Sequence, residues 1–160
     1  MHHRHHRHAP RAVAASIKLP HWQRRGVYAS TVLLTASGLL WLGVHFAPGM
    51  VQDELVQATA KLWVIRAHAA AALSTLVLVG SLLPVHIPLA WRVARNRASG
   101  SLLAGVMMAL LLTGYALWYA PEGWARQGSA WLHWGLGAGV PLVLVLHVRS
   151  GRASLPKAKI

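Results

Sequence analysis

Long runs of apolar residues alternate with short polar segments along this chain of 160 residues. The apolar runs cover residues 27–47, 62–83, 101–120 and 131–148. Each is about as long as a helix needs to cross roughly 30 Å of hydrocarbon, where the backbone must satisfy its own hydrogen bonds. Because the connections are short, neighbouring spans are expected to run antiparallel. The pattern therefore predicts an all-α membrane protein with four transmembrane helices in an up-down-up-down bundle.

Basic residues are concentrated on one side of this predicted bundle. The segment before the first span, the connection between the second and third spans, and the C-terminal tail hold thirteen of the sixteen Lys and Arg residues. The other side holds Lys61, Arg66 and Arg126 together with all three acidic residues. Since cytoplasmic loops carry the excess of Lys and Arg, both termini are expected to be cytoplasmic.

The predicted spans divide the chain into three regions. Residues 1–25 form a basic, His-rich cytoplasmic tail, residues 26–149 the four-helix transmembrane domain, and residues 150–160 a basic cytoplasmic tail. The chain begins MHHRHHRH. A tract of this composition can bind metal, but a disordered basic tail lying on anionic lipid is the favoured interpretation.

Composition narrows the class further. Hydrophobic residues make up 55% of the chain and charged residues 12%, about half the charged fraction of a soluble domain. The net charge of +13 lies in short clusters between apolar runs, so no nucleic acid partner is expected. There are no cysteines, which excludes disulfides, zinc–thiolate sites, iron–sulfur clusters and covalently attached haem.

Histidines within the spans are the candidate functional residues, because ionisable groups in a membrane usually serve function. His68 and His86 are 18 residues apart, five helical turns, and His133 and His147 are 14 apart, about 40° short of four turns. With the second and fourth spans running in one direction, His68 should meet His133 at an outer level and His86 should meet His147 at an inner level. Two facing imidazoles at each of two depths predict two haems, each with two axial histidines.

The inner level leaves alternatives open. If His68 and His133 lie level, His86 falls about one turn deeper than His147. Pro84 and Pro88 flank His86 and could bend the helix end, since proline interrupts the hydrogen-bond ladder. If His86 is not the partner of His147, the alternatives are that His21, just before the first span, takes its place, or that the inner haem is missing.

Four further residues are weaker candidates. Arg66 on the outer side, and Arg92 or Arg149 on the inner side, suit haem propionates, because a guanidinium pairs well with a carboxylate. Snorkelling anchors at the membrane interface are an equally good interpretation of these arginines. His45, near the outer end of the first span, is an alternative ligand, a quinone contact or, preferably, an interfacial residue.

Four sequence blocks carry a resemblance to a known family: WVIRAHAAAA, LLPVHIPLAWRVARNRASG, LLTGYALWY and WLHWGLGAGVPLVLVLHVRSGR. Over residues 26–152 the chain resembles the small four-helix b-type cytochromes of bacteria, the cytochrome b561-like group, and within it the flavinylation-associated cytochromes. The resemblance implies that His133, His147 and His68 are haem ligands. Several relatives place the fourth ligand in a His-Trp pair at the start of the first span. His21 and Trp22 have that form, but Gln23, Arg24 and Arg25 separate them from the apolar run, so His86 and His21 both stay open.

The resemblance implies electron transfer across a bacterial inner membrane through haem b. By the same resemblance, the electrons are expected to pass between a quinone pool and a partner outside the cytoplasm, either a flavin-carrying protein or a c-type cytochrome. The chain would then be an electron-transfer subunit rather than a stand-alone enzyme. The alternatives are a haem-free structural or assembly subunit and a histidine-based proton or metal transporter, although no Asp or Glu lies in any span.

Overall fold

The structure of the protein, a computed structural model, describes residues 19–47, 53–93 and 96–153. All regular secondary structure in these ranges is α-helical. The His-rich tract at residues 1–8 lies outside the described residues, so its lipid or metal binding stays a prediction. The helices are α1 (His21–Phe46), α2 (Glu54–Leu82), α3 (His86–Arg92), α4 (Arg97–Tyr119) and α5 (Trp124–Ala153).

All helices except the short α3 are long and apolar enough to cross a membrane. In the described part of the chain no large hydrophobic side chain is buried, and the buried residues are two polar ones, Ser30 and Thr75. Val77, for example, is 75% exposed. Apolar side chains thus cover the outside of the helices, as expected where lipid is the solvent. These features confirm the all-helical prediction and support a multi-pass membrane protein.

The long helices begin outside the apolar runs that predicted them. Helix α1 begins at His21 and therefore includes the polar residues before Val27. Helix α2 begins at Glu54, directly after Asp53, whose carboxylate accepts hydrogen bonds from the N–H groups of Leu55 (2.8 Å) and Val56 (3.2 Å). Such a cap satisfies otherwise unpaired donors, so it sets the start of the helix independently of hydropathy.

The connection between the second and third spans contains a helix of its own. Helix α2 ends at Leu82, the Leu83 N–H bonds to the Gly80 carbonyl at 3.2 Å, and α3 begins at His86. Helix α2 therefore ends just before Pro84, because a residue without an N–H cannot continue the ladder of backbone hydrogen bonds. The expectation that His68 and His86 share one face of one helix is wrong, since the helix ends between them.

Close backbone packing joins α1 to α2, α4 to α5, and α1 to α5. Among the described residues, α2 and α5 form no such close interface. A polar contact joins the start of α1 to the end of α2, where Gln23 Nε2 donates to Ser81 Oγ at 3.0 Å. The helices that carry His68 and His133 are therefore held mainly through their neighbours α1 and α4.

Asn96 fixes the start of α4 against α5. Its backbone is left-handed, with φ 55°, and its Nδ2 donates to the carbonyl of His147 at 2.9 Å. Gly151 lies beneath the amide, and a Cβ at that position would be only 2.9 Å from Asn96 Nδ2. Asparagine tolerates the left-handed conformation better than other residues with a side chain. Asn96 thus adopts the left-handed conformation that the turn before α4 requires, and its side chain links α4 to α5.

Replacing Asn96 tests this joint. Asn96→Ala should lower the free energy of unfolding by about 2 kcal/mol, because it removes a hydrogen bond worth ~1 kcal/mol and strains a left-handed backbone by a similar amount. Asn96→Gly should lose only the hydrogen bond, because glycine adopts the left-handed conformation without strain, and its free energy of unfolding should fall by about half as much. Thermal unfolding in detergent measures both variants. Equal stability of the two would contradict the conformational part of this explanation.

Candidate functional site

His68 of α2 and His133 of α5 face each other across the bundle. Their ring centroids are 6.2 Å apart and their planes are inclined by 71°. Both residues are partly buried. The structure therefore brings together the two histidines that the sequence pairs at the outer level.

This spacing fits a group held between two axial imidazoles. A metal bonded at about 2.0 Å to one nitrogen of each of two opposed imidazoles holds the ring centres roughly 6 Å apart. Within the described residues no group of three or more His, Asp or Glu side chains could hold a metal ion. A haem iron takes its equatorial ligands from the macrocycle, so two histidines meet the requirement of a bis-histidine haem.

His147 of α5 interacts electrostatically with His86, the first residue of α3. The Nδ1 atom of His86 is buried and has no hydrogen-bond partner among the described residues. His21, the other candidate, is exposed at the start of α1, with its Nδ1 3.4 Å from Arg24 Nη2.

His68, His133 and His147 share one hydrogen-bonding pattern. In each, the ring Nδ1 bonds to a serine or threonine hydroxyl on the helix packed alongside. The hydroxyl of a neighbouring helix thus holds one edge of each ring. The bonds are Ser37 Oγ to His68 at 2.8 Å, Thr113 Oγ1 to His133 at 3.0 Å and Ser99 Oγ to His147 at 3.1 Å.

A glycine follows each of these hydroxyl residues, and the imidazole lies against it. A Cβ added to Gly114 would be 3.3 Å from Cε1 of His133, so the ring would have to shift. A Cβ at Gly38 would be 3.5 Å from His68, and one at Gly100 would be 3.7 Å from His147, both ordinary contacts. The three dipeptides Ser37–Gly38, Ser99–Gly100 and Thr113–Gly114 are called the hydroxyl–glycine pairs below.

The hydroxyl–glycine pairs were not among the residues that the sequence singled out. A signal was nevertheless present, because Ser99 and Thr113 are 14 residues apart, the same separation as His133 and His147. Thr113 contacts His133 and Ser99 contacts His147, so the two helices match in opposite order. Equal spacing of hydroxyls and histidines on consecutive spans would have identified these residues.

The arginine candidates have other positions in the structure. The guanidinium of Arg66 lies over the Trp63 ring, 5.3 Å from its centroid. Arg92 is exposed at the end of α3. Arg149 lines a groove of about 410 Å³ between α1 and α5, beside Tyr28. The pairing of these arginines with haem propionates stays a prediction. The exposed positions of Arg92 and of Arg66, which lies over Trp63, are typical of interfacial anchors.

His45 belongs to an aromatic cluster at the end of α1. Its ring stacks on Trp41, with centroids 4.6 Å apart and planes inclined by 12°. Phe46 meets it edge-on at 4.8 Å, and Trp134 of α5 lies 6.3 Å away. Aromatic residues of this kind concentrate at membrane interfaces, which favours the interfacial interpretation of His45.

Comparisons with known proteins add no relatives to this description. No protein-family model, no curated protein and no solved structure matches the chain. The resemblance of its sequence blocks to small b-type cytochromes therefore stays a prediction.

Proposed function

We propose that the chain is a transmembrane electron-transfer protein that holds two b-type haems, each between two histidines. The observation that carries this proposal is the outer pair, whose ring centroids lie 6.2 Å apart between two helices that are not closely packed. Two imidazoles joined by a direct N–H···N hydrogen bond would have their ring centres roughly 5 Å apart, closer than the observed 6.2 Å, whereas two imidazoles bonded to one metal lie roughly 6 Å apart. Haem b is favoured because the chain has no cysteine for covalent attachment.

The protein's own residues hold and orient the ligands of the outer site. His68 and His133 each have Nδ1 engaged by a hydroxyl, so Nε2 is the nitrogen left for iron. When bound, haem supplies a one-electron redox couple at each level. A haem held by two histidines of the chain would have no site open to oxygen or substrates, which suits electron transfer rather than bond chemistry.

The inner site pairs His147 with His86 in this proposal. The buried Nδ1 of His86, which has no hydrogen-bond partner among the described residues, supports this choice over the exposed His21. The 14 residues between His133 and His147 separate the two levels by about 21 Å along the helix axis. Two redox groups at these depths would connect the two sides of the membrane.

Contacts and charge support the up-down-up-down topology with both termini in the cytoplasm. In α1 and α2 the contacts run in opposite order, since Ser37 meets His68 while Gln23 meets Ser81. The excess of Lys and Arg on the side of the two termini supports a cytoplasmic location for them. The proposed location is a bacterial inner membrane, and the proposed electron partners are quinone and an extracytoplasmic flavin-carrying protein or c-type cytochrome.

Cysteine labelling tests this orientation, because the chain has no cysteine of its own. Arg126→Cys lies near the start of α5, on the proposed outer side, and Arg92→Cys lies at the end of α3, on the proposed inner side. A membrane-impermeant maleimide should label the first variant in intact spheroplasts and the second only after lysis. The reverse result would contradict the orientation.

Removing single histidines tests the haem proposal. His68→Ala and His133→Ala should each lower the haem content of the purified chain from two to one per chain, because each removes an axial ligand of the outer site. Haem is measured as the pyridine adduct. His45→Ala is the matched control, and it should keep both haems. A His68→Ala, His133→Ala double variant that retains two haems would rule out the outer pair.

The inner site is tested with the same assay. His147→Ala and His86→Ala should each remove the inner haem, while His21→Ala should leave the haem content unchanged. Loss of the inner haem in His21→Ala, with His86→Ala unaffected, would assign the fourth ligand to His21.

A haem-free structural subunit is the second candidate, and the hydrogen bonds between helices are the observation that favours it. Polar contacts between membrane helices are worth about 1 kcal/mol each, so the three histidine–hydroxyl bonds could serve packing alone. A chain that purifies folded and without haem, after expression with ample haem supply, would favour this role. A histidine-based transporter has no comparable observation in its favour.

A further inference from the structure

We propose that the hydroxyl–glycine pairs select the tautomer of His68, His133 and His147, so that each histidine presents Nε2 to the haem iron. The inference rests on the proposed function for its purpose, but the hydrogen-bond geometry stands without it. It assigns a positioning role to Ser37, Thr113 and Ser99, whose hydroxyls contact the histidines.

The hydroxyl hydrogens at the outer site are already used within their own helices. Ser37 Oγ donates to the Leu33 carbonyl at 2.6 Å, and Thr113 Oγ1 donates to the Ala109 carbonyl at 2.7 Å. A hydroxyl has one hydrogen to donate and lone pairs to accept with. The same oxygens lie 2.8 Å and 3.0 Å from the Nδ1 atoms of the histidines, so they accept from an Nδ1–H group.

An Nδ1–H tautomer has a definite consequence for metal binding. It leaves the lone pair on Nε2, the nitrogen on the other side of the ring. A hydrogen bond donated from the second nitrogen also fixes the orientation of a ligating imidazole and raises its basicity. The hydroxyls thus prepare each outer histidine as a ligand before any group is bound.

The glycines allow the imidazole edge to reach the hydroxyl. At Gly114 an added Cβ would lie 3.3 Å from His133 Cε1, closer than an ordinary contact. A larger residue there would push the ring away from Thr113. At Thr113–Gly114 the hydroxyl supplies the acceptor and the adjacent glycine supplies the space, whereas at Gly38 and Gly100 an added Cβ would make only an ordinary contact.

The two levels are not equally prepared. At the inner level the Ser99 hydroxyl lies 3.4 Å from its own-helix acceptor, the Asn96 carbonyl, and 3.1 Å from His147 Nδ1. His86 has a buried Nδ1 with no partner in the described part of the chain. At the outer site both hydroxyls therefore donate to their own helices over short distances and accept from the histidines, whereas the Ser99 hydroxyl is less firmly committed as an acceptor for His147.

Hydroxyl-removing variants of the full chain test the positioning role. Ser37→Ala and Thr113→Val should each weaken haem binding at the outer site by roughly 10-fold or more on titration of the apo chain, without affecting the inner site. Ser99→Ala should have a smaller effect, confined to the inner site. The conservative variants Ser37→Thr and Thr113→Ser keep the hydroxyl and should restore binding to near the level of the unmodified chain.

Two residues of α2 provide matched controls. The Ser74 hydroxyl donates to the Ala70 carbonyl at 2.9 Å, and the Thr75 hydroxyl to the Ala71 carbonyl at 2.7 Å. These bonds match those of Ser37 and Thr113 to their own helices, but the structure shows no histidine on either oxygen. Ser74→Ala and Thr75→Val should leave haem affinity unchanged at both sites.

The tautomer itself is read from nitrogen-15 NMR of labelled histidines in the haem-free chain. The unmodified chain should show Nδ1–H imidazoles at His68 and His133, and Ser37→Ala should convert His68 to a mixture of tautomers. Unchanged affinity and tautomer in Ser37→Ala and Thr113→Val, or equal losses in the controls, would overturn the inference. If the unmodified chain binds no haem, the proposed function fails, and the NMR result alone decides whether the hydroxyls select the tautomer.

Discussion

A histidine inside a bilayer must find partners for two ring nitrogens, because hydrocarbon offers none. In this protein the first nitrogen of three histidines is satisfied by a hydroxyl on the adjacent helix. These bonds join α2 to α1 and α5 to α4, which are also closely packed pairs. With one nitrogen of His68 and His133 satisfied in this way, the other nitrogen of each ring is available to the proposed haem. In the proposed function, helix pairing and the preparation of the haem ligands depend on the same interaction.

The sequence was sufficient to predict the spans and the outer pair of histidines. Membrane thickness fixes the length of an apolar run, so the four spans are readable without knowledge of packing. The helical repeat predicts the depth of each histidine, and the short connections predict that the second and fourth spans run in one direction. Those two constraints placed His68 opposite His133, and the rings are indeed 6.2 Å apart. Haem itself is a further step, which the geometry supports and only a binding measurement can establish.

The position of His86 and the hydroxyl partners of the histidines could not be predicted from the sequence and became evident only in the structure. Periodicity assumes a continuous helix, and α2 ends at Leu82, so His86 belongs to a separate short helix. The hydroxyl partners lie 31, 20 and 48 residues away from their histidines along the chain, beyond any local pattern. Serine and threonine are also common in membrane helices as donors to their own backbone, so neither stands out by composition. Only the matched spacing on α4 and α5 carried the information, and it becomes evident once the partners are known.

The most direct test of this account is the haem content of the unmodified, detergent-purified chain. The chain is expressed with ample haem supply, its reduced-minus-oxidised optical spectrum is recorded, and haem is quantified as the pyridine adduct. The account predicts a b-type spectrum and two haems per chain. A folded chain without haem would contradict it, and the histidines would then be interhelical hydrogen-bond donors and no more.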